Sequence, residues 1–179
     1  SVKRVRTYYS PFGQIDQTYA RRWGHYTYRN LPKIYDAHII TAEYLIDNID
    51  RAFDNWQKRP WNRSLSFEDF CEYLLPYRIG DEPLEEWREL YEKKYGYLLD
   101  SIYKGSDVVE AANLVSRHLQ EPVFIYCEDF ELPHIGPRYL FSHRYGSCVD
   151  AADIVTYAFR AGGIPCMEDT DARGGHVWN

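Results

Sequence analysis

The chain has 179 residues, of which 45% are hydrophobic and 17% aromatic, with 17 tyrosines and a formal net charge of −6. That length and apolar content suit one domain with a real core and exclude a disordered chain. Charges of both signs are interspersed without a basic stripe, which excludes an obvious nucleic-acid surface, and no apolar run approaches the roughly twenty residues of a bilayer span. The first residue is Ser1 and no signal peptide is readable, a start that fits a trimmed export signal or one added for expression. Four cysteines, at positions 71, 127, 148 and 166, are too few and too scattered for a disulfide framework. No C-x-x-C or H-x-x-x-H spacing points to structural zinc, so neither a metal nor a cofactor is expected.

Residues 1–35 mix Tyr, Arg and polar side chains, punctuated by Pro11, Gly13 and Pro32. They predict an irregular start with a short helix near residues 16–28, whose tyrosines suit packing against the next helix better than a binding face. Over residues 36–56, Ile39, Ala42, Ile46, Ile49, Phe53 and Trp56 recur at three- and four-residue steps. This stripe predicts a long helix packed on the domain, and Ile40, Tyr44 and Leu45 widen it beyond a coiled-coil seam. Pro60 anchors a break, and Ser66 with Asp69 forms a capping box for a short helix that Pro76 ends. Asn62-Arg63-Ser64 is a glycosylation sequon, informative only in a secreted eukaryotic chain. Pro83 suits the first position of another helix, with Leu84, Trp87, Tyr91, Leu98 and Ile102 on one face and Gly96 as a bend. Glu89 and Lys93 form a solvated i,i+4 pair. Gly105 closes this helix, and Asp107 with Glu110 opens another, with Val108, Ala112, Val115 and Leu119 as its buried face. Residues 122–126 read as a short strand, and Pro133 and Pro137 predict an irregular stretch after it. His134 and His143 lie in or beside that stretch, where an isolated histidine is usually solvated.

The last thirty-odd residues organise the rest. Ser147 suits an N-cap with Asp150 as its partner, and a helix of residues 148–161 follows, apolar nearly all round and therefore central. Gly162-Gly163 stops it, Ile164-Pro165-Cys166-Met167 reads as a short strand, and a polar loop leads to a second strand carrying His176. Cys148 falls in the first helical turn, where free N–H groups and the helix dipole favour a thiolate, while Asp150 in the same turn opposes it. Those N–H groups, that of Cys148 included, can also hold an oxyanion formed by attack of the sulfur on a carbonyl. A base is still needed, and a strand packed beside the helix N-terminus can deliver His176. Cys on a helix and His on a later strand is the papain-like arrangement. The competing reading is a Cys buried as core and a structural His.

Gly146-Ser147-Cys148-Val149-Asp150-Ala151-Ala152, then Phe159-Arg160-Ala161-Gly162-Gly163-Ile164-Pro165, then Gly175-His176-Val177-Trp178-Asn179, resembles the core of the transglutaminase-like superfamily. The stretches 70–78 and 82–88 also resemble the lead-in of secreted bacterial members. The likeness implies an α+β fold: a papain-like core over residues 121–179, with residues 1–120 a mostly helical flank and cap in a single domain. It implies Cys148 as nucleophile and His176 as base, acting on a carboxamide or peptide bond of a protein or peptide substrate, with the acyl group passed to an amine (crosslinking) or to water (amidase or protease action). It also implies export to the periplasm, cell surface or medium. The family's third catalytic residue, an Asp or Asn on the strand after the His, has no counterpart before the sequence ends at Asn179. The core is therefore expected to be truncated after the His strand, a piece of a longer protein with weak activity or none. Asp171 is a distant candidate to orient His176. The loop acids Glu168, Asp169 and Asp171 suit a solvated loop better than recognition of a cationic substrate. The alternative reading is a non-catalytic module that uses the same scaffold to bind a peptide or glycan. Oligomeric state is not readable.

Overall fold

The computed structural model describes residues 33–126, 134–172 and 175–179. The helix predicted near residues 16–28 lies outside them, as does Cys127. After a 3-10 turn, Asp36–His38, helix α1 (Ala42–Lys58) begins at Thr41, whose hydroxyl accepts from the Tyr44 N–H at 3.2 Å. The helix is where the periodicity puts it, but its facing is not. Asn48, Ala52 and Asn55 are buried, whereas Ile46 is 57% exposed and Ile49 46%. The polar side wins because it partners buried polar groups, among them a carbonyl outside any helix or strand. Asn48 donates to Leu75 O at 2.9 Å and accepts from Arg88, and Asn55 donates to Arg51 O and to Glu92. Buried carbonyls of an irregular segment need such donors.

A 3-10 turn, Pro60–Ser64, supplies a second anchor. Arg59, just before it, donates to Gly162 O at 2.8 Å, while Trp61 and Asn62 donate to Gly163 O at 2.9 and 2.8 Å. Asn62 is buried, so the sequon is a structural amide here and not an open acceptor of sugar. Helix α2 (Phe67–Tyr73) carries the expected box: Asp69 N–H donates to Ser66 Oγ at 3.0 Å, and Ser66 N–H to Asp69 at 3.3 Å. Phe70 stacks on Trp56 at 4.7 Å and closes a small core with Ala52 and Leu74.

Pro83 does not start a helix. Residues 82–87 are irregular, and α3 (Arg88–Tyr91) continues as π-helical turns, Glu92–Gly96 and Leu98–Ile102. The widened turns keep Tyr91, Tyr95, Leu98 and Leu99 on one buried face, though Ile102 is exposed. Helix α4 (Val108–Leu119) is capped by Asp107, which accepts from Val109 and Glu110 at 2.7 and 3.1 Å. Ala111, Val115 and Leu119 form its inner face, and Val108, expected inside, is partly exposed.

β1 (Ile125–Tyr126) pairs in parallel with β2 (Tyr145–Gly146), Ile125 opposite Tyr145. Between them lies α5 (Pro137–His143), a helix where the prolines suggested irregular chain. Pro137 sits in its first turn, where the missing N–H costs nothing. Arg144 ends it in the left-handed region at φ 51° and turns a buried guanidinium onto Leu119 O at 2.6 Å and onto the Tyr95 hydroxyl.

α6 (Cys148–Gly162) is the central element and contacts α1, α3, α4, α5, β2 and β4. Its Ile154, Tyr157, Ala158 and Ala161 meet Trp87, Tyr91, Leu99, Val115 and Leu140 in the main core. Gly163 ends it at φ 76°, where a Cβ would stand 2.9 Å from Asn55 O, so both conformation and space require glycine. The expected strand at Ile164-Pro165-Cys166-Met167 is an extended segment without a strand ladder, whose Cys166 N–H donates to Tyr73 O at 3.2 Å. The strand comes later, as β3 (Asp169–Thr170), antiparallel to β4 (Val177–Trp178). The fold is α+β and mainly helical, with two small two-stranded sheets among the described residues.

Candidate functional site

Cys148 is the first residue of α6 and half-buried. Its own N–H and that of Val149 lie in the first turn, which lacks intrahelical acceptors. Asp150 builds the approach to it. The carboxylate is buried and accepts from Ser147 N–H at 2.8 Å, Ser147 Oγ at 3.0 Å and Ile135 N–H at 3.2 Å. A side chain at Gly146 would collide with that carboxylate, so glycine lets the chain pass it.

His176 precedes β4 on an exposed hairpin, its ring tilted against Trp178 at 5.8 Å. Asp171 does not reach that ring: its Oδ1 accepts from Gly175 and His176 N–H groups at 2.5 and 3.3 Å and closes the hairpin. Asn179 docks β4 on α6. Its amide donates to Ala152 O at 3.1 Å and to Thr156 Oγ1 at 2.7 Å, and lies 3.7 Å from Cys166 Sγ. Cys148, Ala152 and Thr156, at i, i+4 and i+8, share one helical face. The strand that follows His176 therefore lies against the face headed by Cys148. The thiol and the ring are not joined: among the described residues no hydrogen bond links them.

A second cluster lies on a neighbouring stripe of α6. Asp150, Asp153, Tyr157 and Arg160 recur at steps of three, four and three, and all are buried. Asp153 accepts from His134 Nδ1 at 2.9 Å, and the Glu168 carboxyl stands beside it. Gly80 lies flat on the His134 ring, where a Cβ would come within 2.6 Å, and Asp81 accepts from His134 N–H at 3.1 Å. Burial alone would lower the His134 pKa, but the hydrogen bond and charge of Asp153, with Asp81 and Glu82 nearby, push it up to about 9. Burial and the charge of Asp153 push Glu168 up to about 9, and burial raises Asp153 as well. A Glu168 carboxyl raised that far favours its neutral form at pH 7, beside the imidazolium of His134. Glu82 accepts from Ile79 and Gly80 N–H, both at 2.7 Å, and from the Tyr157 hydroxyl at 2.9 Å. Arg160 donates to Cys166 O at 3.1 Å. Burial raises the Cys166 thiol pKa, which leaves it a poor nucleophile.

From the sequence alone His134 reads as a solvated loop histidine, Arg160 only as part of the family-like motif, and Asp153 carries no role. The 3-4-3 polar stripe within an apolar helix was the available signal. His143 lies flat on Tyr139 at 4.0 Å and faces Tyr139 O, taking no part. A hollow of about 340 Å³ between α1 and the α3 region is lined by Arg51, Glu89, Glu92 and Lys93 and lies apart from Cys148. Among the described residues no cluster of three His, Cys, Asp or Glu could hold a metal, and no helix is long and apolar enough to cross a membrane. Comparison of the chain with protein families, curated proteins and solved structures finds no match.

Proposed function

We propose that this chain is a thiol enzyme of the transglutaminase-like, papain-like class, with Cys148 as nucleophile and His176 as base. The observation that carries the reading is the docking of β4, through Asn179, along the α6 face that Cys148 heads. In this scheme the sulfur attacks a carboxamide or peptide carbonyl while His176 takes the thiol proton. The first-turn N–H groups hold the oxyanion, and His176 returns the proton to the departing amine. An amine or water then resolves the thioester. Of the cysteines described, Cys148 alone stands at a helix N-terminus: Cys71 lies within α2, and Cys166 is buried.

A second reading is a binding module without chemistry, favoured by a His176 ring that packs on Trp178 and has no bond to the thiol. Two measurements separate the readings: iodoacetamide labelling followed by peptide mass mapping, and ammonia release from a glutamine peptide. Selective labelling of Cys148, with ammonia release lost in Cys148→Ala, fits the enzyme. Labelling no faster at Cys148 than at Cys71, with no ammonia released, sinks it.

A further inference from the structure

The most regular apolar stripe in the sequence faces outward. On α1, Ile46, Ile49 and Phe53 are 57%, 46% and 37% exposed, and Ile34, Tyr35 and Ile39 before the helix are 65%, 66% and 47% exposed. Phe67 of α2, 59% exposed, extends the surface past Trp56. From Ile39 to Phe53 the stripe is about 21 Å long at helical rise. One flank is acidic, with Glu43, Asp47, Asp50 and Asp54 all exposed along it. Asp47 pairs with Arg51 of its own helix, and among the described residues Glu43, Asp50 and Asp54 have no cationic partner. An uncovered apolar strip of this kind with a one-sided rim of charge suits a docking partner of opposite charge.

The sequence holds one segment of that chemistry. Residues 1–32 contain six Lys or Arg (3, 4, 6, 21, 22 and 29) and a single acid, Asp16, in a chain whose net charge is −6. Ile15, Tyr19, Trp23 and Tyr26 recur at steps of four, four and three, a matching apolar periodicity, with Arg21 and Arg22 between them. The segment ends at Pro32, two residues before exposed Ile34, so the tether is short and the effective concentration is on the order of millimolar.

We propose that residues 1–32 of this chain dock on the outer face of α1, seating their aliphatic and aromatic stripe on Ile46, Ile49 and Phe53 and their arginines against Glu43, Asp50 and Asp54. The proposal is independent of the Cys148 reading. It is tested on the full chain by trypsin, which cuts after Lys and Arg, with a free peptide of residues 1–32 as reference. Proteolysis reports the open population when reclosing is fast. Cleavage in this segment should be at least about tenfold slower in the chain than in the peptide. Protection should be lost in Ile46→Asp/Ile49→Asp, and it should weaken in about 0.5 M salt, where the screening length falls to about 4 Å. Arg21→Glu/Arg22→Glu, which alters nothing in the described fold, should speed cutting at Arg29. Adding Asp50→Arg/Asp54→Arg to that variant should restore protection. Cleavage of the wild-type chain at the peptide's rate overturns the proposal. So does a wild-type dimer, seen by sedimentation, that Ile46→Asp/Ile49→Asp dissociates, since a second copy would then cover the face. Failure of the charge swap to restore protection overturns the assignment of the arginines to this rim.

Discussion

Replacing Asp150 with Ala tests how the entrance to α6 is held. The carboxylate is 4% exposed and takes three hydrogen bonds, from Ser147 N–H, Ser147 Oγ and Ile135 N–H. Alanine strands two backbone donors, and an unsatisfied buried donor costs about 1–3 kcal/mol. These sites are partly buried, so the low end applies, about 1 kcal/mol each. Loss of the negative charge from the first turn of the helix adds about 0.3–1 kcal/mol. The sum is about 2.3–3 kcal/mol. Asp150→Asn keeps one acceptor oxygen and turns an amide towards donors, so it should lose about half as much. Urea unfolding at pH 7, followed by tryptophan fluorescence, reads both. With a slope of about 2 kcal/mol per M, the alanine variant should unfold roughly 1.3 M earlier. A shift under about 0.3 M would refute the view that this carboxylate, and not the apolar packing of α6, secures the helix start.

Stability should fall as pH rises from about 4.5 to 9, through Glu168 over the whole window and through His134 above about 6.5. His134 and Glu168 have native pKa values raised to about 9 from ordinary values of 6.5 and 4.5, so the stabilisation they lend is complete at low pH and is lost as each releases its proton. Glu168→Gln, whose amide can still donate to Asp153, should flatten that decline in urea midpoints taken across the range; an unchanged slope would remove Glu168 from the account. Asn62→Ala should cost about 1–2 kcal/mol through the lost bond to Gly163 O and its packing, and Asn62 should stay unglycosylated in a eukaryotic secretory host, which intact-mass measurement reads. Cys148→Ala should change stability by about 1 kcal/mol or less while ending ammonia release; a larger loss in the unfolding curve would mark the sulfur as core.

What the sequence made legible depended on how local the signal was. α6 was readable because its start, Ser147 with Asp150, and its stop, Gly162-Gly163, are written next to the helix itself. The caps at Ser66 and Asp107 were readable for the same reason. α1 was readable as a helix, but periodicity gives a stripe and not the side that meets the core. There the decision fell to Asn48 and Asn55, whose partners, Arg88, Leu75 O and Glu92, lie far along the chain. α5 is not legible because Pro137 reads as a breaker, whereas it stands at a helix start. The π-helical turns around Gly96 leave no local mark beyond a glycine. At the candidate site, the helix under Cys148 and a strand next to His176 are legible, but β3 falls in what reads as a polar loop and His176 stands just before its strand. The His134–Asp153–Glu168 cluster is not legible, because it joins three segments and only the Asp153 and Arg160 spacing hinted at it.

The central place of α6 bears on how the chain is made. Synthesis runs from the N-terminus, so Trp87, Tyr91, Tyr95 and Val115 all leave the ribosome before the helix they pack on. The carbonyls of Gly162 and Gly163, which Arg59, Trp61 and Asn62 hold, arrive about a hundred residues after their donors. At roughly 5–20 residues per second, the nascent chain spends several seconds with aromatic faces and buried-to-be arginines uncovered. It is in that interval that holding chaperones have most to protect. A synonymous change that slows translation between residues 120 and 148 would lengthen it and lower soluble yield without altering the finished protein.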